Sequence, residues 1–464
     1  MLLNGSEEWR GRSLGDQRRL KRLRPLVISL TAHSAATLAQ ALCGWAPLKA
    51  AERFFSTAAI TPAGSFATAL PAGVERCAAA GFVLILPDTT TLDYSAQPTT
   101  AGLGHVGRGK QQGFFAHTAL CLDVRGAAPV PGGVLAQERW VRPRRATQRA
   151  KTRRTRGVAD KERARWLRVA HASLAALPPG VRAVTVAARE ADIFALVAAQ
   201  RPAHADLLIR ATPPRRVAAA AGTRWPAVAA APVCGAHRVT RRRADDRPAR
   251  TAVGTVRTRR VTLRPPQNQR AGEPWTEAVT LTAILVEEGA PPAGTQAVGW
   301  LLLTTRAVPD LATAQQAITW YSYRWLIERD HFVLQSGGRV QAWQLGTLAA
   351  LERAFAVACL VAWRVVWLTS LARAQPLAPG TAALRPDEWQ ALACHVQQRP
   401  PPPTAPPSLR EAVRQIAALG GFRGRTGDGD PGLRTVWRGL TRVQDRVHAY
   451  RLLRAPHAAV REGG

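Results

Sequence analysis

Residues 82–94 read FVLILPDTTTLDY, an almost continuous apolar run that ends at Asp88 and continues with β-favouring residues. A short apolar run of this composition predicts a strand that is buried in a core. Asp88 would then stand where that strand ends. An aspartate before three threonines is also common as a turn or cap residue. The stretch therefore predicts a core strand and leaves two interpretations of Asp88 open.

Further strands are predicted on either side of helical segments along the chain. Residues 114–124 and 133–141 flank the turn RGAAPVPGG as a hairpin would, and VRAVTVA, ADLLIRA and GWLLLTT read as buried strands. Helices are predicted at 159–176, over READIFALVAAQ, and from 311 to about 335. This order of elements predicts a mixed α/β core in three layers, with a mostly helical arm at each end.

The pattern divides the chain into three regions. Residues 1–70 read as a helical N-terminal domain with a basic cluster, and 71–375 as the core, with an inserted all-β lobe at about 213–297. Residues 376–464 follow as a helical C-terminal region that contains a Pro-rich linker. A very basic segment spans 142–156. The most apolar stretch, 355–371, carries Arg364 in its middle, so it predicts a buried helix and not a membrane span.

The formal net charge of +33 is the outlier in the composition, since an apolar fraction of 46% is ordinary for a globular protein. A field of that size favours a polyanionic partner, most often a nucleic acid. A GC-rich coding sequence would also raise the arginine content, and a ribosomal or RNA-packaging protein would have similar charge. The six cysteines form no CxxC pair, which argues against a zinc site and favours a reducing cytosol.

The segment WYSYRWLIERDHF at 320–332 gathers residues that could hold a metal beside a phosphate. Tyr321, Arg324 and Glu328 fall at i, i+3 and i+7, roughly one face of a helix. Carboxylates from separate elements are the ligands of the paired Mg²⁺ ions that serve phosphodiester chemistry. An amphipathic helix with an ordinary ion pair between Arg324 and Glu328 would give the same spacing.

Six motifs, in order along nearly the whole chain, resemble transposases of the insertion-sequence-four family, the group of transposon-five type. The motif WYSYRWLIERDHF resembles the Y-(2)-R-(3)-E-(6)-K signature of that family. The others are LGDQRRLKRL with KAAERFF, LPDTTTLDY, AAREADIF, GWLLLTT, and LGGFRGRTGDGDPG with VWRGL. The resemblance implies an RNase H-like catalytic core.

The resemblance also implies a role for each matching residue. Asp88 and Glu328 would be the first and third metal ligands of a two-Mg²⁺ site, in which Mn²⁺ could substitute. The remaining matches would contact DNA: Tyr321 and Arg324 near the scissile bond, Trp300 on a flipped base, Arg210 on the transposon-end backbone, and Arg18, Arg19 and Arg53 on phosphates of the N-terminal segment.

Two positions depart from the family pattern. Ala188 stands where the family has its second catalytic Asp, and Gln335 stands where the signature has Lys. An alanine cannot ligate a metal, and a glutamine can hydrogen-bond a phosphate but supplies no charge. Glu190 and Asp192 lie close by in sequence, but residues at a helix start point elsewhere than one at a strand end. We therefore expect impaired catalysis, and whether Glu190 or Asp192 compensates stays open.

The expected function is cut-and-paste DNA transposition. By resemblance, a homodimer would pair two terminal inverted repeats, hydrolyse the ends, release them through a DNA hairpin and join them to target DNA, in the bacterial cytosol and away from any membrane. The alternative is a non-catalytic DNA-binding homologue, decayed or inhibitory, which Ala188 favours. A basic RNA- or ribosome-associated protein would leave the ordered motifs unexplained.

Overall fold

The computed structural model describes residues 14, 16–33, 37–42, 44–67, 70–107, 109–142, 162–212, 224–241, 249–266, 275–398, 400 and 404–454. Ten strands are found in this part of the chain. They are β1 (Phe82–Asp93), β2 (Gly104–His105), β3 (Gln112–Asp123), β4 (Val130–Trp140), β5 (Arg182–Ala187), β6 (Ala205–Arg210), β7 (Val233–Arg241), β8 (Arg250–Leu263), β9 (Val279–Glu287) and β10 (Gly299–Thr304).

The helices lie mainly before β1 and after β10. They are α1 (Gln17–Ala32), α2 (Leu38–Leu42), α3 (Trp45–Ser56), α4 (Pro62–Ala67), α5 (Leu70–Ala80), α6 (Arg165–Ala175), α7 (Phe194–Ala198), α8 (Arg224–Ala229), α9 (Leu311–Ser322), α10 (Trp325–Phe332), α11 (Leu348–Ala374), α12 (Pro386–Gln397), α13 (Leu409–Leu419) and α14 (Leu433–Arg454). Several begin at side-chain caps that the sequence supplies. Asp16 caps α1, Asp310 caps α9, and Ser408 forms a capping box with Glu411 on α13.

All ten strands join one mixed sheet in the order β2-β3-β1-β5-β6-β10-β9-β8-β7, with β4 also paired to β3. Strands β1, β5 and β6 run parallel, and β3 runs antiparallel to β1. The predicted mixed α/β class, with helices at both ends, is confirmed, and the sheet is consistent with an RNase H-like core. Strand β1, the predicted hairpin β3–β4 and the buried strands β5, β6 and β10 lie where the sequence predicts them.

Alternate residues of the central strands pack into different cores, because successive side chains of a strand point to opposite faces. On β1, Leu84 and Leu86 belong to the largest core, together with residues of α9, α10 and α11. Val83 and Ile85 belong to a core on the other face, which includes residues of α5 and α6. The predicted three layers are therefore present, with the sheet in the middle.

Helix α11, Leu348–Ala374, is long and apolar enough to cross a membrane by length and composition, but it is almost entirely buried inside the protein. The side chain of Arg364, in its middle, is 3% exposed. The predicted buried helix is confirmed. Two of its neighbours are β4, whose Pro131 carbonyl accepts a hydrogen bond from the Trp363 indole at 3.2 Å, and α4.

The structure refines several predicted elements. The predicted β-rich insertion supplies β7–β9, which extend the central sheet through the pairing of β9 with β10, and it also contains the short helix α8. Its first residues, 213–223, lie outside the described part. The predicted helix from 311 to 335 is divided into α9, α10 and a π turn at Val333–Gly337. The helix predicted over READIFALVAAQ is a 3₁₀ turn, Arg189–Ala191, followed by the short α7. Most of the basic segment at 142–156 also lies outside the described part.

The interruption between α9 and α10 is a change of hydrogen bonding. The amides of Tyr323, Arg324 and Leu326 donate to carbonyls three residues back, as in a 3₁₀ turn, while Tyr323 and Arg324 keep helical dihedral angles. The chain thus tightens for one turn and then resumes an α-helix. Arg324 lies in that turn, at the end of α9 and before α10, and Glu328 follows one turn later.

Candidate active site

The Arg324 guanidinium joins the two predicted catalytic carboxylates. Its Nη1 donates to Asp88 Oδ2 at 2.9 Å, and its Nη2 donates to Glu328 Oε1. The side chains of Arg324 and Asp88 are 19% and 20% exposed, whereas that of Glu328 is 53% exposed. The chain folds so that residues 236 positions apart meet, because the middle of β1 lies beside the turn between α9 and α10. The strand continues past Asp88 to Asp93, so the prediction that it ends at Asp88 is wrong. The structure therefore brings Asp88, Arg324 and Glu328 together.

Burial and the neighbouring charges have opposite effects on the pKa values of Asp88 and Arg324. Burial raises the pKa of Asp88, and Arg324 works against that rise. Burial alone would lower the pKa of Arg324, but the Asp88 and Glu328 carboxylates outweigh it and hold the pKa above its ordinary value. Arg324 is thus a fixed cation, and its charge offsets only one of the two carboxylates when both are ionised.

Ala188 is the first residue after β5, the parallel strand next to β1. The registered pairs of β1 and β5 end at Ile85 and Thr185, so Asp88 and Ala188 each stand three residues beyond the last pair. Two residues before them, Leu86 and Val186 pack into the same core. Alternation places Asp88 on that face of β1, whereas Ala188 follows the end of β5 and packs against the core that contains Ala187 and Ala191. The position of the expected second carboxylate therefore directly follows β5, the strand next to β1, and its side chain is only a methyl group.

The donor set at this place does not fit a two-metal carboxylate site. Asp88 and Glu328 are both engaged by Arg324, and the side chain of Ala188 supplies no oxygen. Within the described ranges, no three His, Cys, Asp or Glu side chains are grouped so that they could hold a metal ion.

The two acidic residues next to Ala188 are engaged elsewhere. Glu190 Oε2 accepts a hydrogen bond from Arg165 Nη2 at 2.7 Å. Arg165 Nε in turn donates to Thr89 Oγ1 at 3.2 Å. Thr89 follows Asp88 on β1 and so faces the opposite side of the sheet. Asp192 is 4% exposed, and its Oδ2 accepts from the backbone amide of Thr212 at 2.7 Å.

Trp300, Tyr321 and Arg210 form a second group next to the first. The ring of Trp300, on β10, packs edge to face on Tyr321 of α9, with centroids 5.0 Å apart and an interplanar angle of 72°. Tyr321 is buried and Trp300 is half-buried. Arg210, at the end of β6, donates to the Gly299 carbonyl at 3.1 Å and hydrogen-bonds Tyr321. Their predicted contacts with DNA remain predictions, and in this conformation the three residues contact one another.

Gln335 is tied to the strand that carries Asp88. Its Nε2 donates to Thr90 Oγ1 at 2.7 Å and to the Thr91 carbonyl at 3.1 Å. The residue lies in the π turn, which closes with a hydrogen bond from the Gly338 amide to the Val333 carbonyl at 2.7 Å. The side chain is thus part of the contact between this turn and β1, and a phosphate would have to compete for it.

The predicted basic positions of the N-terminal region differ in exposure. Arg18 on α1 and Arg53 on α3 are exposed, as phosphate contacts must be. Arg19 is half-buried, and its Nη1 donates to the Leu14 carbonyl at 2.7 Å, so part of its hydrogen-bonding capacity stabilises the start of α1.

Sequence reasoning missed the polar cluster on the other face of β1. Arg165 is 7% exposed and lies over the ring of Trp140 at 5.0 Å from the centroid. His117 is fully buried, and its Nδ1 lies 2.8 Å from Thr89 Oγ1. Burial, Arg165 and His331 together hold the pKa of His117 well below its ordinary range. No motif marks these residues, because their meeting depends on the pairing of β1 with β3 and on the docking of α6.

Two family models match the ends of the chain. The model described as transposase DNA-binding matches residues 5–60, and the model described as transposase Tn5 dimerisation domain matches residues 360–458. Together they support a Tn5-type transposase. The first match covers α1, α2 and α3, and the second runs from within α11 to the C-terminal side of α14. They support DNA as a partner and a homodimer, and the Tn5 family implies a DNA-cleaving and strand-transferring enzyme.

Proposed function

We propose that the protein is a transposase of the insertion-sequence-four family, of transposon-five type, that binds the terminal inverted repeats of its own element and is catalytically impaired in this copy. The proposed division is a DNA-binding region at 1–70, a catalytic core at 71–375 and a dimerising C-terminal region at 376–464. The two family matches support the outer regions, and the mixed sheet supports the middle one. The net charge of +33 favours a nucleic-acid partner.

The observation that carries the impaired state is the trio of Asp88, Arg324 and Glu328 with Ala188 beside it. Two carboxylates that share one guanidinium leave less negative charge for a cation than three free carboxylates would. Loss of a charged or polar group that acts directly on the reacting atoms commonly costs about 10²–10³ in rate. We therefore expect the unaltered chain to bind ends with little or no strand nicking.

The test restores the missing carboxylate. The probe is a duplex of the inverted repeats that bracket the gene, incubated with Mg²⁺ or Mn²⁺ and scored for nicking at the element's end. The double variant Ala188→Asp with Gln335→Lys should nick at least about a hundredfold faster than the unaltered chain. Ala188→Asn with Gln335→Lys is the matched control, since Asn has the shape of Asp without its charge, and it should stay inactive. Robust nicking by the unaltered chain would sink the proposal of impairment.

The second candidate function is a non-catalytic DNA-binding homologue, which Ala188 also favours. It predicts the same binding of the repeat duplex but no gain of nicking in the Ala188→Asp, Gln335→Lys variant. Competition with random duplex and with RNA in the same gel-shift assay tests the partner. A preference for RNA over both duplexes would contradict each of the two transposase interpretations.

A further inference from the structure

Helix α3 exposes an aromatic ring where a globular protein would ordinarily bury one. The side chain of Trp45, the first residue of α3, is 72% exposed. It is the one tryptophan among the exposed large apolar side chains of the described residues. A tryptophan carries more apolar area than any other side chain, so leaving it in water forgoes a large stabilisation. Such exposure favours a contact that forms with a partner.

The residues on the same face of α3 indicate the charge of that partner. Trp45, Lys49 and Arg53 fall at i, i+4 and i+8, so they lie in one row along the helix. The opposite face carries the buried residues Ala51, Phe54 and Phe55 and packs against α1, α2 and α11. Lys49 pairs with Glu52 at 2.7 Å, whereas Arg53 extends the row as an exposed cation. An aromatic ring in line with cations fits a polyanion that also offers apolar surface.

The neighbouring helix presents the same charge. Arg18, Lys21 and Arg22 are exposed on α1, which contacts α3. Both helices lie within residues 5–60, the part that the transposase DNA-binding model matches. Duplex DNA has phosphates that cations contact and, in its grooves, sugars and base edges that an apolar ring can contact.

We infer that the Trp45–Lys49–Arg53 row of α3 docks on duplex DNA, with the Trp45 indole against sugars and base edges in a groove and the two cations on the flanking phosphates. This inference rests on the proposed function and adds to it a residue whose contact is apolar. An apolar contact and a phosphate contact differ in their response to salt. Each phosphate contact contributes about 0.9 to the slope of log affinity against log salt, whereas an apolar contact contributes none.

The experiment measures binding of the full chain to fluorescein-labelled duplexes of on the order of 40 base pairs by anisotropy over a range of salt. One duplex carries the inverted repeats that bracket the gene, and the other has a random sequence. Trp45→Ala should weaken binding by roughly tenfold, as expected for the loss of one aromatic contact with a base, and leave the salt slope unchanged. Trp45→Phe should retain most of the affinity. Arg53→Ala should weaken binding and reduce the slope by about one.

Val253→Ala is the matched control, because Val253 is 57% exposed and lies on β8, outside the segments that the two family models match. It should bind as the unaltered chain does. Thermal unfolding of each variant shows whether it folds, and the exposure of Trp45 predicts an unchanged midpoint. If the unaltered chain binds and Trp45→Ala binds equally well, the inference is wrong and the proposed function stands. If Trp45→Ala instead changes only self-association, the row is a protein interface and the inference is wrong. If the unaltered chain binds neither duplex, both fail.

Discussion

Replacing Arg324 by Met should destabilise the protein through the carboxylate that it leaves behind. Asp88 is about four-fifths buried and loses its charged partner at 2.9 Å. Removing one partner of a buried pair costs about 3–5 kcal/mol, and partial exposure places this pair at the lower end, near 3 kcal/mol. The contact with the half-exposed Glu328 adds less than about 1 kcal/mol.

A double-mutant cycle separates the bridge from the packing of the Arg324 side chain. Asp88→Asn removes the buried charge, so Arg324→Met should cost much less in that background, with a coupling free energy of about 2 kcal/mol. For 464 residues that unfold cooperatively, the unfolding entropy is about 1 kcal/mol per kelvin, so the single variant should melt about 3 °C lower. Glu328→Gln should shift the midpoint by less than about 1 °C.

Differential scanning calorimetry of the four proteins of the cycle, at pH 7 and moderate salt, gives these values. The reasoning is refuted if the two substitutions are additive to within about 0.5 kcal/mol. It is also refuted if Glu328→Gln destabilises the protein as much as Arg324→Met does. The ion pair with the half-exposed Glu328 would then contribute most of the stability, and not the pair with Asp88.

Three further variants probe the surroundings. Arg165→Met removes the bonds to Thr89 and Glu190 and should lower the free energy of unfolding by about 2 kcal/mol in urea titrations; a loss below about 0.5 kcal/mol would contradict an anchoring role. The depressed pKa of His117 means that its neutral form stabilises the fold above the unfolded pKa of about 6.5, and that stability is lost as pH falls below it. His117→Asn should therefore reduce the loss of stability between about pH 6.5 and 5 by up to roughly 1.4 kcal/mol per pH unit, and an unchanged pH profile would argue against this. Gly439→Ala would place a Cβ 1.7 Å from the Ile416 carbonyl oxygen, so α13 and α14 must separate; an unaltered melting midpoint would show that their contact is looser than described.

The sequence predicts well those strands, turns and helices whose sequence signal lies entirely within the element itself. The apolar run before Asp88 predicts β1 because burial on both faces requires apolar residues at every position. The Gly/Pro-rich turn predicts the β3–β4 hairpin because turn chemistry is local. The 213–297 segment was harder, since short alternating runs predict strands but not their neighbours. The runs do not predict that the segment extends the central sheet, which it does because β9 pairs with β10.

The candidate site, like the fold, is predictable from the sequence only in part. The sequence predicts that Asp88, Arg324 and Glu328 belong to one site, and the structure joins them through the Arg324 guanidinium. The sequence also predicts that Ala188 departs from the family pattern, and this stays a prediction. It does not predict that Arg165 draws Glu190 toward Thr89, because that contact joins three segments distant in sequence. Contacts between segments that are distant in sequence follow from the order of strands in the sheet, and no local sequence pattern predicts that order.

If the proposed function holds, the place of Ala188 in the fold separates the residue expected to affect cleavage from the regions proposed to bind DNA. The exposed cations of α1 and α3 and the helices of the C-terminal match lie on other elements than β1, which carries Asp88, and β5, which Ala188 follows. An Asp-to-Ala exchange at the end of β5 removes a charge from a half-buried position and leaves no buried partner unpaired there, since Arg324 already satisfies Asp88 and Glu328. We therefore expect the loss of this carboxylate to change the free energy of unfolding only a little. A chain that keeps its DNA-binding and dimerising parts while losing one acidic residue would still occupy its ends, which is why binding and nicking have to be measured separately.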